Sequence, residues 1–406
     1  MLYNLGIYLY SLIIHLAAPF SRKPRKMMKG HWIVYELLRQ QKENSVKYIW
    51  FHAASLGEFE QGRPLIEKIK ERYPEYKILL TFFSPSGYEV RRNYKEADIV
   101  CYLPLDKPRN VKKFLDIIQP CMAFFIKYEF WKNYLNELHK RNIPVYSVSS
   151  IFRKEQVFFK WYGGAYRKVL SNFDQLFVQN ETSKRFLSKI GIEKVTVVGD
   201  TRFDRVLEIS QEAKNLPLVE AFKGDSLTIV AGSSWAPDED LFIEFFNNHP
   251  EIKLIIAPHV IDENHLVEII SKLKRSYVRY SKATEQNVKK ADCLIIDGYG
   301  LLSSIYRYGE IAYIGGGFGV GIHNILEAAV YGIPVIFGPK YHKFMEARQL
   351  LEEQGAFTIK DKEDLSQLLD NMISDKEFLK MSGLNAGNYV TKNLGASEKI
   401  LSQINL

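Results

Sequence analysis

A glycine-dense segment in the second half of the chain contains the residue types that bind phosphate. It reads EIAYIGGGFGVGIHNILEAAVYGIPVIFG over residues 310–338. The apolar run 311–314 has the length and β-branched composition of a strand, and a helical pattern over 324–331 follows the glycines. Because glycine lacks a Cβ atom, its backbone can approach an anion closely, and the N–H groups at a helix start favour negative charge. The sequence therefore predicts a phosphate-binding unit, with Gly316 and Gly317 in its loop.

The loop does not match the dinucleotide fingerprint G-x-G-x-x-G. Counted from Gly315, the third glycine would be Val320, and counted from Gly317 it would be Ile322. This mismatch argues against a nicotinamide-dependent enzyme. Glu327 lies one turn inside the predicted helix, where its carboxylate could accept hydrogen bonds from the two hydroxyls of a ribose. The alternative is a solvated residue that interacts favourably with the helix dipole.

A second acidic candidate follows the first predicted strand. The segment HAASLGEFE, residues 52–60, places Glu58 after a turn of small residues. A carboxylate at this position could be the general base that removes a proton from an attacking hydroxyl. Ser55 and Glu58 also match the spacing of a capping box, in which Glu58 would be the N3 carboxylate. The two roles are not exclusive.

Other predicted strand ends carry charged or polar side chains. In the amino-terminal half, KYEFWKN contains Glu129 and GDTRFD contains Arg202, a cation that could bind phosphate or carboxylate. Surface ion pairing is the alternative for both segments. In the carboxyl-terminal half, the expected anion-binding positions at two strand ends are Ser233, Ser234, Pro258 and His259. The serines could instead cap the helix that follows them.

Alternating strand and helix patterns position these candidates. They predict an α/β fold of two doubly wound, Rossmann-like domains facing a cleft, with ligands outside the carboxyl ends of the strands. The segment 208–224 is the expected linker. The predicted domains are an anchor helix (1–20), an N-terminal Rossmann-like domain (21–215), a C-terminal Rossmann-like domain (216–385) and a terminal helix (386–406) that could pack back across the cleft.

The amino-terminal twenty residues contain no charged side chain. As a helix they would be about 30 Å long, enough to cross the hydrocarbon core of a bilayer. Five basic residues follow between positions 22 and 29, which predicts that the rest of the chain lies on the cytoplasmic side. A shallow monotopic anchor and a buried core helix are the alternatives.

Composition restricts the class of protein. The 406 residues are 46% hydrophobic and 25% charged, with a net charge of +8, which indicates a globular protein with anionic partners. Cys101, Cys121 and Cys293 lie singly in apolar runs, so we expect core packing and no metal site or disulfide. Basic residues are dispersed beyond residue 30, which argues against nucleic-acid binding.

Taken together, these segments resemble the Kdo transferases, which add 3-deoxy-D-manno-octulosonic acid (Kdo) to lipid A precursors. The resemblance covers most of the chain. It rests on an apolar amino-terminal segment and several motifs in one order: Ser-Leu-Gly-Glu (55–58), Glu-x-Trp (129–131), a Gly-x-x-Lys-Phe-Asp-like element (199–204), Ser-x-Trp (233–235), Ala-Pro (257–258) and His-Asn-x-x-Glu (323–327).

The resemblance implies the GT-B glycosyltransferase fold and transfer of Kdo, with inversion, from CMP-Kdo to a lipid A precursor at the inner membrane. It also implies that residues 21–215 bind the acceptor and residues 216–385 bind the CMP-sugar. No cofactor or metal is expected. Glu58 would be the catalytic base, and Glu129 and Arg202 would stabilise the transition state. The positions implied for binding the CMP moiety are Pro258, His259, Gly300, Asn324, Ile325, Leu326 and Glu327.

Three residues depart from the family pattern. Arg202 replaces a lysine, which keeps the charge but changes its geometry, His259 replaces an arginine, and Ile325 replaces a proline. Two other functions share part of the pattern. A GT-B enzyme that uses a different nucleotide sugar, either a transferase or an epimerase, would keep the glycine loop and Glu327. A non-enzymatic protein of the membrane surface would keep the basic amino-terminal segment.

Overall fold

The computed structural model describes residues 2–406 and divides the chain into two compact units. The N-terminal unit comprises the chain up to Arg205 together with Leu394–Leu406, and the C-terminal unit comprises Val206–Asn393. The last thirteen residues therefore belong with the first half of the chain.

The N-terminal unit contains a parallel sheet of seven strands. Their bounds are β1 (Tyr48–Ala53), β2 (Lys77–Phe82), β3 (Ile99–Tyr102), β4 (Met122–Ile126), β5 (Val145–Ser150), β6 (Gln175–Val178) and β7 (Val195–Val197). Their order is β3-β2-β1-β4-β5-β6-β7. The chain leaves β1 in one direction and returns to its other side at β4, so the two strands flank the topological switch point, where ligands bind in such sheets.

Alternation along β1 explains how this sheet is buried on both faces. Tyr48 and Trp50 pack into one apolar cluster, whereas Ile49 and Phe51 pack into a second cluster. Successive side chains of a strand point to opposite faces, so an unbroken apolar run is what a sheet covered on both sides requires. The helices of this unit up to its boundary are α1 (Leu2–Ala17), α2 (Arg22–Gln41), α3 (Leu56–Arg72), α4 (Pro85–Arg91), α5 (Pro108–Ile118), α6 (Lys132–Lys140), α7 (Gly164–Leu170), α8 (Glu181–Ser188) and the start of α9 (Thr201–Gln211), with a 3-10 turn at Val157–Phe159.

The C-terminal unit repeats the arrangement. Its strands are β8 (Leu227–Ser234), β9 (Ile252–Pro258), β10 (Tyr277–Arg279), β11 (Cys293–Ile295), β12 (Ile311–Ile314), β13 (Val335–Phe337) and β14 (Ala356–Thr358), in the order β10-β11-β9-β8-β12-β13-β14. Its strands all pair in parallel, and the switch point lies between β8 and β12. Its helices are α10 (Pro217–Lys223), α11 (Ala236–Asn248), α12 (Glu263–Lys272), α13 (Glu285–Val288), α14 (Leu302–Ile305), α15 (Leu326–Ala329), α16 (Met345–Glu352), α17 (Lys362–Ser374) and α18 (Lys376–Lys392), with 3-10 turns at Tyr280–Lys282 and Tyr306–Tyr308. Helix α19 (Ala396–Leu401) then belongs to the N-terminal unit.

Two secondary-structure expectations are wrong in detail. The helix predicted over 324–331 is the four-residue α15, because a turn precedes it and Gly332, with φ of +70°, ends the segment. The expected linker, 208–224, is mostly helical, since it contains the end of α9 and all of α10. Pro217 occupies the first turn of α10, where its missing N–H costs nothing.

The amino-terminal segment folds as two helices joined by a sharp bend. Helix α1 ends at Ala17 and exposes most of its apolar side chains, which excludes the buried core helix as its role. Over residues 2–406, no helix taken alone has the length and hydropathy of a membrane span. Helices α1 and α2 meet those criteria only as a pair bent by 117°.

Candidate active site

Glu58 lies in the first turn of α3, beyond the carboxyl end of β1. Ser55 occupies the N-cap position, but its side chain makes no cap hydrogen bond and its hydroxyl instead donates to Glu58 Oε2. The expected capping box is therefore wrong in its hydrogen bonds, although its residue positions are right. Glu58 is half-buried, and no cationic side chain in the described part of the chain forms an ion pair with it. A carboxylate with this environment can accept a proton.

Glu129 follows β4, on the other side of the switch point. Its Oε2 accepts a hydrogen bond of 2.6 Å from Trp131 Nε1 and lies 3.0 Å from His52 Nε2. The His52 ring is fully buried, and its Nδ1 lies 2.9 Å from Thr81 Oγ1. Nδ1 also lies 3.1 Å from Thr81 O, so both ring nitrogens are within hydrogen-bond distance of a polar atom. His52 and Trp131 thus fix the orientation of the Glu129 carboxylate.

Arg202 follows β7 in the first turn of α9. Its Nε and NH2 atoms donate to Asp200 Oδ2 at 2.9 and 2.7 Å, and its backbone N–H donates to Asp200 Oδ1 at 3.0 Å. The expected alternative of ion pairing is therefore observed, within the same loop. Because the carboxylate of Asp200 is buried and the guanidinium remains partly exposed, the pair holds a cation at the carboxyl edge of the sheet.

Tyr128, directly before Glu129, has charged side chains near its hydroxyl. Burial raises the pKa of its hydroxyl, the nearby Glu58 charge raises it further, and the charges of Arg153 and Arg202 lower it. The charges of Glu58, Arg153 and Arg202 therefore all act on the Tyr128 hydroxyl. Arg153, which follows β5, was not predicted from the sequence, because one arginine in an irregular basic segment has no distinguishing pattern.

In the C-terminal unit the predicted serine caps are absent. Trp235 occupies the N-cap position of α11, and its backbone N–H donates to Asp238 Oδ2 at 3.0 Å. Ser234 is buried and its hydroxyl donates to Glu239 Oε1 at 2.8 Å. Ser233 adopts a left-handed backbone with φ of +53° at the end of β8. These serines thus shape the strand end and do not cap the helix.

His259 belongs to an aromatic stack that the sequence did not predict. Its ring lies 4.7 Å from the Trp235 ring and 4.4 Å from the His323 ring, both at 26°. Trp235 Nε1 donates to His323 Nε2 at 3.2 Å, so this nitrogen carries no proton. Burial and the neighbouring His259 lower the pKa of His323. Pro258 ends β9, and the backbone N–H of His259 donates to Ser234 O at 2.9 Å.

The glycine loop after β12 is closely packed on its own backbone. A Cβ atom on Gly316, which has φ of +92°, would lie 2.4 Å from Gly321 O, and one on Gly317 would lie 2.5 Å from Gly338 N. The Gly316 N–H donates to the buried Asp238 carboxylate at 2.9 Å, and those of Gly319 and Gly321 donate to Gly316 O at 3.0 Å. Three N–H groups of the expected phosphate cradle are therefore used inside the protein.

The segment after the loop corrects the expectation of an anion site at a helix start. Helix α15 has only four residues, too few to align a substantial dipole. Ile325 and Leu326 are buried in the core, so ligand contact by their side chains is excluded. Asn324 and Glu327 are more accessible, and Asn324 Nδ2 donates to Glu327 Oε1 at 3.0 Å. This hydrogen bond orients the carboxylate predicted for ribose.

Gly300 lies in the loop between β11 and α14. It follows β11, which is separated from β12 by β9 and β8. Its φ of +82° favours glycine, and no atom lies within 4 Å of a Cβ built at this position. The other candidates of this unit lie near β8, β9 and β12. Leu302, two residues after Gly300, would lie 3.0 Å from a Cβ atom on Gly232 of β8, so the loop that carries Gly300 extends from β11 toward the end of β8.

A search of residues 2–406 finds no group of three or more His, Cys, Asp or Glu side chains that could hold a metal ion. Cys101 and Cys293 are buried, and burial raises the pKa of both thiols. Cys121 is half-buried, and burial raises its pKa as well.

The chain is similar in sequence and in fold to several known proteins. A family profile described as 3-deoxy-D-manno-octulosonic-acid transferase (kdotransferase) matches residues 30–205. A 3-deoxy-D-manno-octulosonic acid transferase of Aquifex aeolicus is 29% identical over 343 residues, which is 82% of this chain and 88% of that protein. One from Haemophilus influenzae is 26% identical over 366 residues, which is 87% of this chain and 85% of that protein. A UDP-GlcNAc 2-epimerase from Neisseria meningitidis has a similar fold, with a TM-score of 0.62 at 16% identity over 87% of this chain and 98% of that one.

Two Rossmann-like units, each with polar side chains beyond its switch point, define a protein of the GT-B class. Residues 30–205 match the profile of the Kdo transferase family, the two curated Kdo transferases are similar to most of the chain, and the chain is a glycosyltransferase.

Proposed function

We propose that this glycosyltransferase moves Kdo from CMP-Kdo to a lipid A precursor, lipid IVA, in lipopolysaccharide core biosynthesis. Similarity to the Kdo transferases of Aquifex and Haemophilus over more than four fifths of the chain supports Kdo as the transferred sugar. The observation that carries the mechanism is the position of Glu58, a half-buried carboxylate at the switch point whose hydrogen-bond partner is a hydroxyl and not a cation.

In the proposed reaction Glu58 is the general base. A glucosamine hydroxyl of the acceptor attacks the anomeric carbon of Kdo, its proton passes to Glu58, and the bond from that carbon to the phosphate oxygen of CMP breaks. CMP leaves with the electron pair, and the configuration inverts. Glu129 and Arg202 contribute charges of opposite sign that stabilise the transition state, and His52, Trp131 and Asp200 hold them in place.

We assign binding of the CMP moiety to the C-terminal unit. The oriented carboxylate of Glu327 would bind the ribose hydroxyls, and the edge formed by Ser233, Ser234, Pro258 and His259 would bind the phosphate region. Gly316 and Gly317 would let the ligand approach the backbone closely, although three N–H groups of the loop already donate to acceptors inside the protein. The proposal includes Gly300 and the backbone of Asn324, Ile325 and Leu326 as further contacts. No step of the proposed reaction requires a metal or cofactor.

The proposed acceptor is a lipid, and helix α1 offers a surface for it. Leu2, Leu5, Leu9, Leu12 and Leu16 recur at helical spacing, and each is more than half exposed. A stripe of this kind inserts into the interface of a bilayer, and the basic residues at the start of α2 would contact anionic headgroups. We therefore propose that the enzyme acts at the cytoplasmic face of the inner membrane.

The test is CMP release by purified protein with CMP-Kdo and a tetraacylated lipid A precursor, for wild type, Glu58→Gln and Glu71→Gln. Glu71 is the matched control, because it lies exposed at the far end of the same helix. We expect lipid-dependent release by wild type and the control, and a loss of about 100-fold or more for Glu58→Gln with CMP binding retained.

Equal turnover by Glu58→Gln would remove Glu58 as the base. If wild type released nucleotide only from a UDP-sugar or GDP-sugar, the alternative of a different GT-B enzyme would replace this proposal. Binding to anionic vesicles without turnover of any nucleotide sugar would favour a non-enzymatic protein of the membrane surface.

A further inference from the structure

Helix α1 makes a polar contact with the segment that carries Glu129. The Tyr3 hydroxyl donates to Asp106 Oδ2 at 2.6 Å and accepts from the backbone N–H of Lys132 at 3.3 Å. Asp106 in turn accepts from the backbone N–H groups of Asn133 and Tyr134, both at 3.0 Å. These three N–H groups form the first turn of α6, so Tyr3 and Asp106 together satisfy the start of that helix.

An aromatic contact reaches the same place by a separate path. The Tyr10 ring of α1 stacks on Phe83 at 6.1 Å, and Phe83 packs on Trp131 at 4.8 Å. Trp131 is the N-cap residue of α6 and the donor of the 2.6 Å hydrogen bond to Glu129. The polar path therefore ends at the first turn of α6, and the aromatic path ends at Trp131, the N-cap residue of that helix and the donor to Glu129.

Loss of the hydrogen bond from Tyr3 would leave the buried Asp106 carboxylate with one donor fewer, at a cost in free energy. Asp106 is 1% exposed, and burial raises its pKa to about 6 although Tyr3 and two backbone N–H groups donate to it. A buried carboxylate that loses a donor is poorly stabilised, and the loss is relieved by movement of the groups around it. Removal of the Tyr3 hydroxyl would thus loosen Asp106 and the start of α6.

From these contacts we infer that α1 is a positioning element for the active site. Its contacts with Asp106 and Phe83 fix the position of Trp131, and Trp131 in turn fixes the position of Glu129. The inference rests on the proposed function for the role of Glu129. Tyr3 and Trp131 are positioning residues in this scheme. Helix α1, which exposes the apolar stripe, thus also positions Trp131 and Glu129 beside the switch point.

Two variants on one helix separate positioning from membrane binding. Tyr3→Phe removes the hydroxyl and keeps the ring. Tyr8→Phe is the matched control, because Tyr8 is half exposed on α1 and its hydroxyl makes no hydrogen bond with the rest of residues 2–406. With detergent-dispersed acceptor, we expect Tyr3→Phe to lower kcat about 3- to 30-fold, while the KM for CMP-Kdo and the binding to anionic vesicles stay within about twofold. Tyr8→Phe should match wild type.

A double-mutant cycle tests whether Tyr3 acts through Trp131. Trp131→Phe removes the indole donor, and we expect it to lower kcat by at least as much as Tyr3→Phe. If the effects share one path, Tyr3→Phe in the Trp131→Phe background should cause less than about a twofold further loss. Two independent, multiplicative losses would overturn the inference.

A readout without substrate separates this inference from the proposed function. The chain has five tryptophans, so an indole-labelled protein gives few Nε1–H resonances, and Trp131→Phe assigns one of them. We expect Tyr3→Phe to shift the Trp131 resonance and Tyr8→Phe to leave it unchanged. An unmoved resonance, or a shift with wild-type kcat, would overturn the inference. Wild-type protein that is inactive with CMP-Kdo would overturn the proposed function, and the resonance would still show whether α1 positions Trp131.

Discussion

The closely packed glycine loop predicts that two similar substitutions will have very different effects. In Gly317→Ala the new methyl group would lie 2.5 Å from Gly338 N and 2.6 Å from Gly338 Cα. Both are backbone atoms, so neither can rotate away as a flexible side chain would. In Gly319→Ala the nearest atom, Gly316 O, would lie 3.8 Å away, which is an ordinary contact.

The expected magnitude follows from this difference. Overpacking of a tight site costs typically about 1–3 kcal/mol, and rigid backbone at 2.5 Å places Gly317→Ala toward the upper end of that range. Gly319 is exposed and has no positive φ, so Gly319→Ala should change the free energy of unfolding by less than about 0.5 kcal/mol. Because the loop must move in Gly317→Ala, the affinity of this variant for CMP should also fall, by about tenfold or more.

Urea unfolding and calorimetric titration with CMP measure the two quantities on the same samples. The expected result is a lower midpoint and weaker CMP binding for Gly317→Ala, with Gly319→Ala close to wild type. Wild-type stability and CMP affinity in Gly317→Ala would refute the loop packing. If Gly317→Ala lowered stability but left CMP affinity unchanged, the loop packing would be supported and the loop would not belong to the CMP site.

Three further predictions concern the carboxyl-terminal tail, an ion pair and the thiols. Asp204 accepts hydrogen bonds of 2.7 Å from the backbone N–H groups of Gly395 and Ser397. Asp204→Ala should therefore lower the free energy of unfolding by about 2–4 kcal/mol and speed tryptic cleavage of the tail. Unchanged cleavage would show that other contacts hold the tail. Ion pairs with basic residues of α3 lower the pKa of Glu398 from 4.5 to about 2. Their stabilisation is therefore complete above pH 4.5 and lost toward pH 2. Because the pair is exposed, Glu398→Gln should remove less than about 1 kcal/mol of pH-dependent unfolding free energy, and a larger change would contradict this. Cys101 and Cys293 are buried with raised thiol pKa, so a thiol reagent should label them only in denaturant, and rapid labelling of native protein would contradict their burial.

The strand pattern was predictable because a parallel sheet covered on both faces needs unbroken apolar runs. Residues 48–53, 122–126 and 311–314 have such runs, and the structure has strands with these bounds. The two strands that the sequence did not predict, β10 and β14, lie at the edges of their sheet and have three residues each. Edge strands are half covered, so YVR and AFT lack a continuous apolar signal.

The positions of the candidate residues were easier to predict than their partners. Glu58 and Glu129 follow β1 and β4, as strand-end motifs suggested, and the order of the strands places them on the two sides of one switch point. Some of the hydrogen-bond partners depend on distant sequence. His52 contacts Glu129 across 77 positions, and Asp238 accepts from Gly316 across 78. No local spacing contains that information, which is why the His52 contact was missed. The Ser55 cap was wrong for a local reason, because its hydroxyl donates to Glu58 and not to the helix start.

The most direct test of the central claim is the mass of the lipid product. Purified wild-type protein would be incubated with CMP-Kdo and a tetraacylated lipid A precursor in anionic vesicles, and the lipid extracted for mass spectrometry. The proposed function predicts a product heavier than the acceptor by one or more Kdo residues, absent without CMP-Kdo and absent with Glu58→Gln. An unmodified lipid in the presence of folded, CMP-binding protein would contradict it.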